Sequence, residues 1–345
     1  MPENPGGLKP LHWQRLVEEA LARRKAERLT QREHAALAGV SIPTIAGFDR
    51  GETTLTLAKA FDILRVVGLL DEPREGGAQE SFLRESFERW QELTAALPAG
   101  NVARFRDGYY RVDYCLEGEL RQVSLRAFED LLRQAITRHT GWPVFLMLTR
   151  DDPGPREVDG ALEVWLKPEE HVERPFGNDP AHCDYWRAVP SGRLFLIRGY
   201  QEDGQETFPS GSIFDTTLPI WRLGEVLLHA EKLAALMARN GPADITVRLR
   251  ALYTGLQGRQ LRNWANPLSG MTLVGRPSRS DEVLLEATLP AAGIKDRLAE
   301  HLLPLVSALY ERFDVEGLSL PQVRTEVASL LKGKFQPALL KPIAP

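Results

Sequence analysis

Residues 29–51, LTQREHAALAGVSIPTIAGFDRG, constrain the fold more than any other stretch, because they define the limits of two short helices. Thr30 and Glu33 have the spacing of a capping box, in which each residue satisfies a free backbone donor of the other. A helix is therefore predicted to begin there. Gly39 predicts its end, because glycine readily adopts the left-handed backbone that terminates a helix.

A second short helix is predicted directly afterwards. Ser41 is a suitable N-cap, and Pro43 falls in the first turn, where a missing backbone N–H is tolerated. Ile45 and Phe48 are three residues apart and are expected to face inward, whereas Gly51 is expected to end the helix. The stretch therefore predicts two helices joined by a tight turn.

Helices are predicted on both sides of this pair. Residues 11–28, and a segment that starts at Thr54 or Thr56, carry apolar side chains at helical spacing. The side chains expected to face inward are Leu11, Leu16, Ala20 and Leu21 in the first helix, and Leu57, Ala60, Phe61, Leu64 and Val67 in the last. Together these helices predict a compact all-α unit.

Several motifs of this unit occur in the order and spacing of a known family. They are LTQ, Ala35, Gly39-Val40-Ser41, Thr44-Ile45 and Asp49-Arg50-Gly51. On these motifs, residues 14–70 resemble the helix-turn-helix of the Cro and phage-repressor family, often called XRE-like. In that family the second helix crosses the phosphate backbone, and the third lies in the major groove of DNA. The resemblance covers about a sixth of the chain.

The resemblance implies a set of DNA-contacting residues. Gln31 matches a glutamine that contacts a DNA phosphate at the start of the second helix. Arg50 matches a position near the DNA backbone at the far end of the third helix. The exposed side of the third helix is matched by Ser41, Ile42, Pro43, Thr44, Ala46 and Gly47.

The side chains at four of these matched positions form no hydrogen bonds with base edges. Ile42, Pro43, Ala46 and Gly47 are suited instead to contact with thymine methyl groups, whereas Thr44 can bond a base or a phosphate. The resemblance thus implies a recognition helix that reads DNA mainly by apolar contact.

Basic residues around the start of the second helix form a candidate phosphate patch. Its members are Arg23, Arg24, Lys25, Arg28 and Arg32. Thr30 lies among them and is included in the expected DNA contacts. The alternative is a solvated helix face, because Glu18, Glu19 and Glu27 are interspersed with the patch.

Composition limits the classes of protein to which the chain can belong. Its 345 residues predict two or three domains, and 43% hydrophobic with 26% charged residues is typical of globular proteins. The net charge of −4, with ten basic and ten acidic side chains in residues 1–72, excludes a global basic field, so any DNA contact must be local. The two cysteines, the absence of a signal-peptide pattern and the lack of a long apolar run favour a cytoplasmic protein with no membrane span.

A linker and an amphipathic helix are predicted next. Residues 71–80, DEPREGGAQE, have the composition of a linker. A helix is expected to follow, with Ser81 as its cap and with Leu83, Phe87, Trp90, Leu93 and Leu97 on its apolar face. This helix either docks on the following domain or pairs with a second copy of itself.

Residues 100–290 are predicted to form an α+β domain with an antiparallel or mixed sheet and helices on one face. Helices are expected from Ser124 to about Arg138 and over residues 220–239. The stretches expected to be strands are YYRVDYCL, PVFLMLTR, DGALEVWLK, HCDYWRAV, RLFLIRGY, ITVRLRALY and VLLEATL.

The last segment, residues 291–332, is predicted to be helical. Pro304 lies inside it, so a kink or a restart is expected there. A broad apolar stripe runs along the segment through Ile294, Leu298, Leu302, Leu305, Leu309 and Phe313. The stripe is interpreted either as core packing or as a dimer interface, and residues 332–345, KGKFQPALLKPIAP, are expected to be a flexible tail.

Three groups of polar residues suggest chemistry in the α+β domain. The stretch RLRALYTGLQGRQLRNWANP mixes arginines with Tyr253 and Trp264, which suits a nucleic-acid strand or a phosphorylated ligand. Arginines paired with carboxylates are the simpler interpretation. His171, His182 and Cys183 are possible metal ligands but are expected to be structural, as are Asp179 and Asp184 near them. Glu202, Asp203 and Glu206 suit acid–base chemistry or a cation, or simply a solvated hairpin tip.

No sequence signature of an enzyme is present: the phosphate-binding loop, the HExxH zinc helix and the GxSxG elbow are all missing. The chain is therefore expected to have no catalytic residues, cofactor or metal. The expected organisation is a helix-turn-helix DNA-binding domain (1–72), a linker and amphipathic helix (73–99), an α+β sensor or dimerisation domain (100–290) and C-terminal helices with a tail (291–345).

The sequence thus predicts a homodimeric, cytoplasmic transcriptional regulator that binds double-stranded DNA. Its partners are expected to be DNA, a second copy and a small-molecule or protein effector, and repression by occupying an operator is the expected mechanism. The alternatives are a protein-interaction or antitoxin-like module that binds a partner protein, and a nucleic-acid-processing enzyme with its site in residues 100–290.

Overall fold

The computed structural model describes residues 12–26, 29–38, 40–70, 77–147, 154–167, 179–267, 269–271 and 273–333, with only the backbone of Ala36, Leu37 and Ala58. The chain divides into two compact units, residues 1–80 and 81–345. It is a mixed α/β protein of more than one unit.

The described residues form nine α-helices and nine strands. The helices are α1 (Trp13–Ala26), α2 (Gln31–Leu37), α3 (Ile42–Asp49), α4 (Leu57–Val66), α5 (Gly77–Ala95), α6 (Leu125–Ala135), α7 (Leu218–Met237), α8 (Leu298–Tyr310) and α9 (Leu320–Leu331). The strands are β1 (Tyr109–Glu117), β2 (Arg156–Val158), β3 (Ala161–Trp165), β4 (Tyr185–Val189), β5 (Arg193–Gly199), β6 (Ile213–Asp215), β7 (Thr246–Tyr253), β8 (Gln260–Arg262) and β9 (Val283–Pro290).

The predicted start signals of the short helices in the N-terminal unit are confirmed. The Glu33 backbone N–H donates to Thr30 Oγ1 at 3.2 Å, and the Thr30 N–H donates to the Glu33 carboxylate at 2.9 Å. Ser41 caps α3 and Thr56 caps α4. Gly51 has a φ of +75°, which an L residue rarely adopts, so α3 ends before it as predicted.

The core of this unit consists of alanines, branched aliphatic side chains and Phe48 between its helices. The buried residues are Val17, Ala20, Ala35, Ala38, Ile45, Phe48, Ile63, Leu64 and Val67. Ile45 and Phe48 therefore face inward as predicted. The prediction for Leu57 was wrong: it is 67% exposed, because it begins α4 where no neighbouring helix covers it, and Ile63 fills the core instead.

A seven-stranded antiparallel sheet in the order β2-β3-β4-β5-β1-β7-β9 forms the centre of the larger unit, and β6 and β8 make a separate parallel pair. Along β7, buried residues alternate with half-buried ones, so only one side of this strand faces the main core.

Helices α6, α7, α8 and α9 share the main core with one face of the sheet. Helix α7 is buried along most of its length. Gly224 allows the close approach of its neighbours, because a Cβ there would lie 2.8 Å from Leu330 Cδ2 and 3.6 Å from Leu302 Cδ1. The bulk of the C-terminal helices therefore fits around α7.

Helix α5 covers the opposite face of the sheet. Within residues 100–290, α6 and α7 both pack on one face of the antiparallel sheet, as predicted. Trp90 of α5 stacks on Phe105 with ring centroids 5.7 Å apart, and the same cluster includes Tyr185, Phe195 and Ile197 of the sheet. Of the two alternatives for the amphipathic helix, docking on the following domain is confirmed. The helix begins at Gly77 rather than after Ser81.

Two further predictions for the larger unit were wrong. Residues 143–147 are buried but do not form a strand, since Phe145 has a φ of +51°, which interrupts an extended backbone; residues 148–150 lie outside the described part. Helix α6 ends at Ala135, three residues earlier than expected, because Ile136 is extended.

The C-terminal stripe is core, as one of its two interpretations predicted. Leu298, Leu302, Leu305 and Leu309 are all at most 3% exposed. Helix α8 continues through Pro304, so no restart occurs there. Across the described residues, no helix combines the length and apolar character that a membrane crossing requires.

Candidate functional site

The N-terminal end of α3 is the exposed part of the helix matched to DNA recognition. Ser41, Ile42 and Pro43 are exposed, Ile42 by 51%, and Thr44 and Ala46 are half-buried. Local chemistry fixes this end, because the Thr44 backbone N–H donates to Ser41 Oγ at 3.3 Å and the two hydroxyl oxygens lie 2.8 Å apart.

Asp49, at the other end of α3, connects three helices. Arg24 of α1 donates to both Asp49 carboxylate oxygens, at 2.9 and 2.8 Å, and Gln31 of α2 donates to Oδ2 at 2.7 Å. The Gln31 side chain, which the family resemblance assigns to a phosphate, therefore holds α2 against α3 in this structure. A bidentate guanidinium–carboxylate pair also fixes orientation, so α3 has a defined position relative to α1 and α2.

Glu52 occupies the space beside the C-terminal half of α3. A Cβ on Gly47 would lie 2.8 Å from Glu52 Oε2. Gly47 is buried, so the prediction that it lies on the exposed side of this helix was wrong. Arg50 donates to Glu52 Oε1 at 2.9 and 2.6 Å. The free surface of α3 is therefore confined to its first turns.

The predicted phosphate patch is divided by internal pairing. Arg23 donates to Glu19 at 2.9 Å and to the Gly68 carbonyl at 2.6 Å, and Arg24 is held by Asp49. Lys25 and Arg32 are exposed and make no ion pair within the described residues. Arg28 lies outside the described part. Thr30 is exposed and is engaged in the capping box.

A second site lies inside the larger unit, where β1, β5, β6, β7 and the first turns of α7 meet. It is a cavity in which a water-sized molecule has about 20 Å³ of free space, which exceeds the need of one ordered water. Its lining consists of Tyr110, Ala181, Arg198, Gly199, Tyr200, Gln201, Glu202, Phe214, Leu218, Pro219, Arg222 and Tyr253. All of these residues are buried.

Both arginines of the cavity are paired with carboxylates. Arg198 Nε donates to Asp184 Oδ1 at 2.7 Å, and its Nη1 donates to the Tyr110 hydroxyl at 3.2 Å. Arg222 Nη1 lies 3.4 Å from the carboxylate of Glu225. The positive charges that face the cavity are thus neutralised by the protein.

Tyr253 and Glu202 are the unusual polar groups of the cavity. The Tyr253 hydroxyl is buried and has no hydrogen-bond partner among the described residues. Burial raises the pKa of Tyr253 well above its ordinary value, so the hydroxyl keeps its proton. Burial also raises the pKa of Glu202 to about 8, with a further contribution from the Asp215 carboxylate.

The sequence did not predict this cavity. Glu202 and Asp203 were expected in a solvated hairpin tip; instead they lie in a short 3₁₀ turn, Glu202 is 3% exposed, and Asp203 pairs with the buried Arg259 at 2.6 Å. For Tyr253, the only available signal is the alternation of side chains along β7, which predicts that this residue faces the core. No local signal marked the cavity, because its groups come from distant strands.

The arginine-rich stretch follows the simpler of its two interpretations. Three arginines of the arginine-rich stretch pair with carboxylates: Arg248 with Glu117, Arg250 with Asp113, and Arg259 with Asp203. His182 Nδ1 lies 3.0 Å from Asp179 Oδ2 in a 3₁₀ turn, not a strand, and His171 lies outside the described residues. The part of the chain that can be described contains no group of three metal-ligating side chains.

Comparison of the chain with protein-family models, curated proteins and solved structures found no match in any of the three. The geometry of the two sites therefore carries the functional argument alone.

Proposed function

We propose that the protein is a DNA-binding transcriptional regulator of the helix-turn-helix class, which acts as a dimer and represses by occupying an operator. The observation that carries the proposal is the exposed N-terminal end of α3, presented beside α2 by the apolar core of the N-terminal unit. Two short helices in this arrangement fit the mode in which one helix crosses the backbone and the next enters the major groove.

In this proposal the Arg24–Asp49–Gln31 network positions the recognition helix. A helix that reads bases must be held at a fixed angle, and the three side chains link α1, α2 and α3 by hydrogen bonds of 2.7–2.9 Å. Gln31 and Arg50 thus act on DNA through the position of α3, since both side chains already bond carboxylates of the unit.

The DNA contacts that remain fall into two groups. Lys25 and Arg32, with Arg28, supply phosphate contacts, which position the unit without reading sequence. Ile42 and Pro43 contact thymine methyl groups, and Thr44 bonds a base or phosphate. Such a surface favours A·T-rich half-sites and modest base specificity.

An electrophoretic mobility-shift assay of the full chain against its own upstream DNA, at several salt concentrations, tests the proposal. Arg32→Ala is expected to weaken binding to all sequences alike and to lower the slope of log K against log salt by about 0.9. Arg126→Ala is the matched control, because it removes an equal, exposed charge from the other unit. Absence of any shift at low salt, or equal effects of the two variants, would contradict the proposal.

Base reading is tested separately by selection of binding sites from a random DNA pool. Ile42→Ala is expected to reduce the preference for thymine at one position of each half-site while leaving the salt dependence unchanged. Unchanged base preferences in Ile42→Ala would exclude α3 as the reading element.

A second function, capture of a partner protein, is favoured by one observation. Ile42 is 51% exposed and is followed by the exposed Pro43, so the free end of α3 is apolar. Co-purification of a stoichiometric protein that is lost in Ile42→Asp, together with no DNA shift, would support this alternative.

A further inference from the structure

We propose that the buried cavity of the larger unit binds a compact, uncharged molecule that carries an oxygen acceptor, such as an amide, a ketone or a lactone. As a binding site it stands independently of the N-terminal unit. Its role as the effector site of a regulator rests on the proposed function.

The unpartnered Tyr253 hydroxyl points to a ligand. Tyr253 is 2% exposed and is one of the residues that line the cavity, and its buried hydroxyl oxygen makes no hydrogen bond to any described residue. The other buried tyrosines around it do have partners: the Tyr200 hydroxyl donates to the Thr254 carbonyl at 2.8 Å, and Tyr110 accepts from Arg198. Buried polar groups are nearly always bonded, so the occupant of the cavity is expected to bond Tyr253.

The charges around the cavity favour a neutral occupant. Arg198 and Arg222 face it, but Asp184 and Glu225 already neutralise them. An anion or a cation would therefore bring an uncompensated charge into a site removed from water, which is unfavourable.

The unused hydrogen-bonding groups are mainly donors. A guanidinium has five N–H groups. Arg222 uses Nη1 to bond the Thr140 hydroxyl and the Trp142 carbonyl, and Nη2 to bond Gln201 Oε1, which leaves N–H groups without a bond to described residues. Tyr253 contributes an O–H, so an occupant that accepts hydrogen bonds is the chemical complement.

Glu202 strengthens this preference near neutral pH. Its pKa of about 8 means that most of the carboxyl groups carry a proton at pH 7 and can donate as well. Phe214, Leu218 and Pro219 form apolar walls beside these donors. An acceptor oxygen on a small apolar body satisfies both parts of the lining.

Saturation-transfer NMR of the full chain with acetamide, acetone and γ-butyrolactone, compared with acetate and tetramethylammonium, tests the proposal without DNA. The neutral probes are expected to bind and the charged ones not. Tyr253→Phe removes the hydroxyl and is expected to weaken binding of the neutral probes about three- to tenfold. Tyr114→Phe is the matched control, since its hydroxyl is bonded to His229 Nδ1 at 2.8 Å and lines no part of the cavity.

Thermal unfolding separates binding from folding. Tyr253→Phe is expected to leave the Tm of the free protein unchanged or raised, because the hydroxyl has no protein partner, whereas Tyr114→Phe lowers it. Binding of charged probes only, binding of no probe (water as sole occupant), or full-strength binding to Tyr253→Phe would each overturn the inference. None of these outcomes affects the mobility-shift test of DNA binding.

Discussion

Buried charged side chains characterise the larger unit at the scale of single residues. Arg198 is 1% exposed and is held by the fully buried Asp184. Such a pair is expensive to remove from water, and its contribution is positional: it joins β5 to the residues that precede β4 and fixes one side of the cavity. The intact pair is therefore expected to contribute little net stability, whereas removal of one partner is expected to destabilise the fold strongly.

Asp184→Asn is expected to lower the free energy of unfolding by about 3–5 kcal/mol, because it leaves the Arg198 guanidinium buried without a counter-charge. Urea unfolding at pH 7 measures the effect. Glu206→Gln, in an exposed position of the same unit, is the control and is expected to change stability by less than about 0.5 kcal/mol. A similar small change in Asp184→Asn would contradict the structural role.

Glu202 is expected to make stability fall as pH rises. Burial and the Asp215 carboxylate raise its pKa from 4.5 to about 8, against the opposing Asp215 backbone N–H and the Arg259 guanidinium. The neighbouring Tyr253 stays neutral because burial raises its pKa. Between the ordinary Glu202 pKa of 4.5 and its folded-state pKa of about 8, the folded chain holds a proton that the unfolded chain has released. The free energy of unfolding therefore falls as pH rises, by at most about 1.4 kcal/mol per pH unit.

Glu202→Gln tests this sign, because it removes the titration and keeps the shape. The difference in unfolding free energy between variant and wild type, measured in urea from pH 5 to pH 9, is expected to shift in favour of the variant as pH rises. A difference that is constant across this range would show that Glu202 does not titrate with a raised pKa.

At the scale of elements, the stability of α3 comes from a side-chain network more than from the length of the helix. It has eight residues, too few for an isolated helix to be stable in water. The Arg24–Asp49–Gln31 network and the Ser41 cap compensate at its two ends.

Asp49→Asn is expected to destabilise the N-terminal unit by about 1–3 kcal/mol, since it breaks a bidentate, partly buried bond with Arg24. Trp13 is the sole tryptophan of residues 1–80, so the ¹⁹F NMR signal of a 5-fluorotryptophan-labelled chain reports this unit separately. Asp62→Asn disrupts an exposed pair with Arg65 and is expected to have little effect. Equal effects would contradict the role of the network.

Substitutions in α8 test whether its apolar stripe belongs to the core of its own unit or to a dimer interface. Leu302→Ala is expected to lower the free energy of unfolding by about 2–5 kcal/mol, because Leu302 is 0% exposed beside Gly224 of α7. Leu303→Ala, at the adjacent half-buried position, is expected to cost clearly less. Chemical denaturation measures both variants, and a larger effect at Leu303 would reverse the assignment of the buried face.

At the scale of the whole molecule, the proposed DNA binding requires two copies. We expect the full chain to sediment as a dimer, because a single unit of this class covers one half-site. Both α5 and α8 bury their apolar faces in their own unit, so Trp90→Ala is expected to lower stability and leave the dimer intact. A monomer in sedimentation velocity at all concentrations would remove the dimer from the proposal without affecting the Arg32→Ala test.

The sequence by itself determined the short helices and most strands. Helix caps and turns form hydrogen bonds with residues only a few positions away, so the amino-acid sequence is enough to locate them. This holds for the caps Thr30, Ser41 and Thr56 and for the turn at Gly51. The alternation of β7 likewise shows which side chains are buried.

Only the tertiary structure decided what the polar residues do. Gln31 meets Asp49 because α2 and α3 pack together, and the expected solvated tip at Glu202 is buried because Asp203 pairs with Arg259, far along the chain. The cavity joins groups from four strands and α7, and no local pattern encodes such a meeting. The physical reason is that burial and charge pairing depend on which distant segments are packed together, whereas helix caps and strand alternation depend on near neighbours alone.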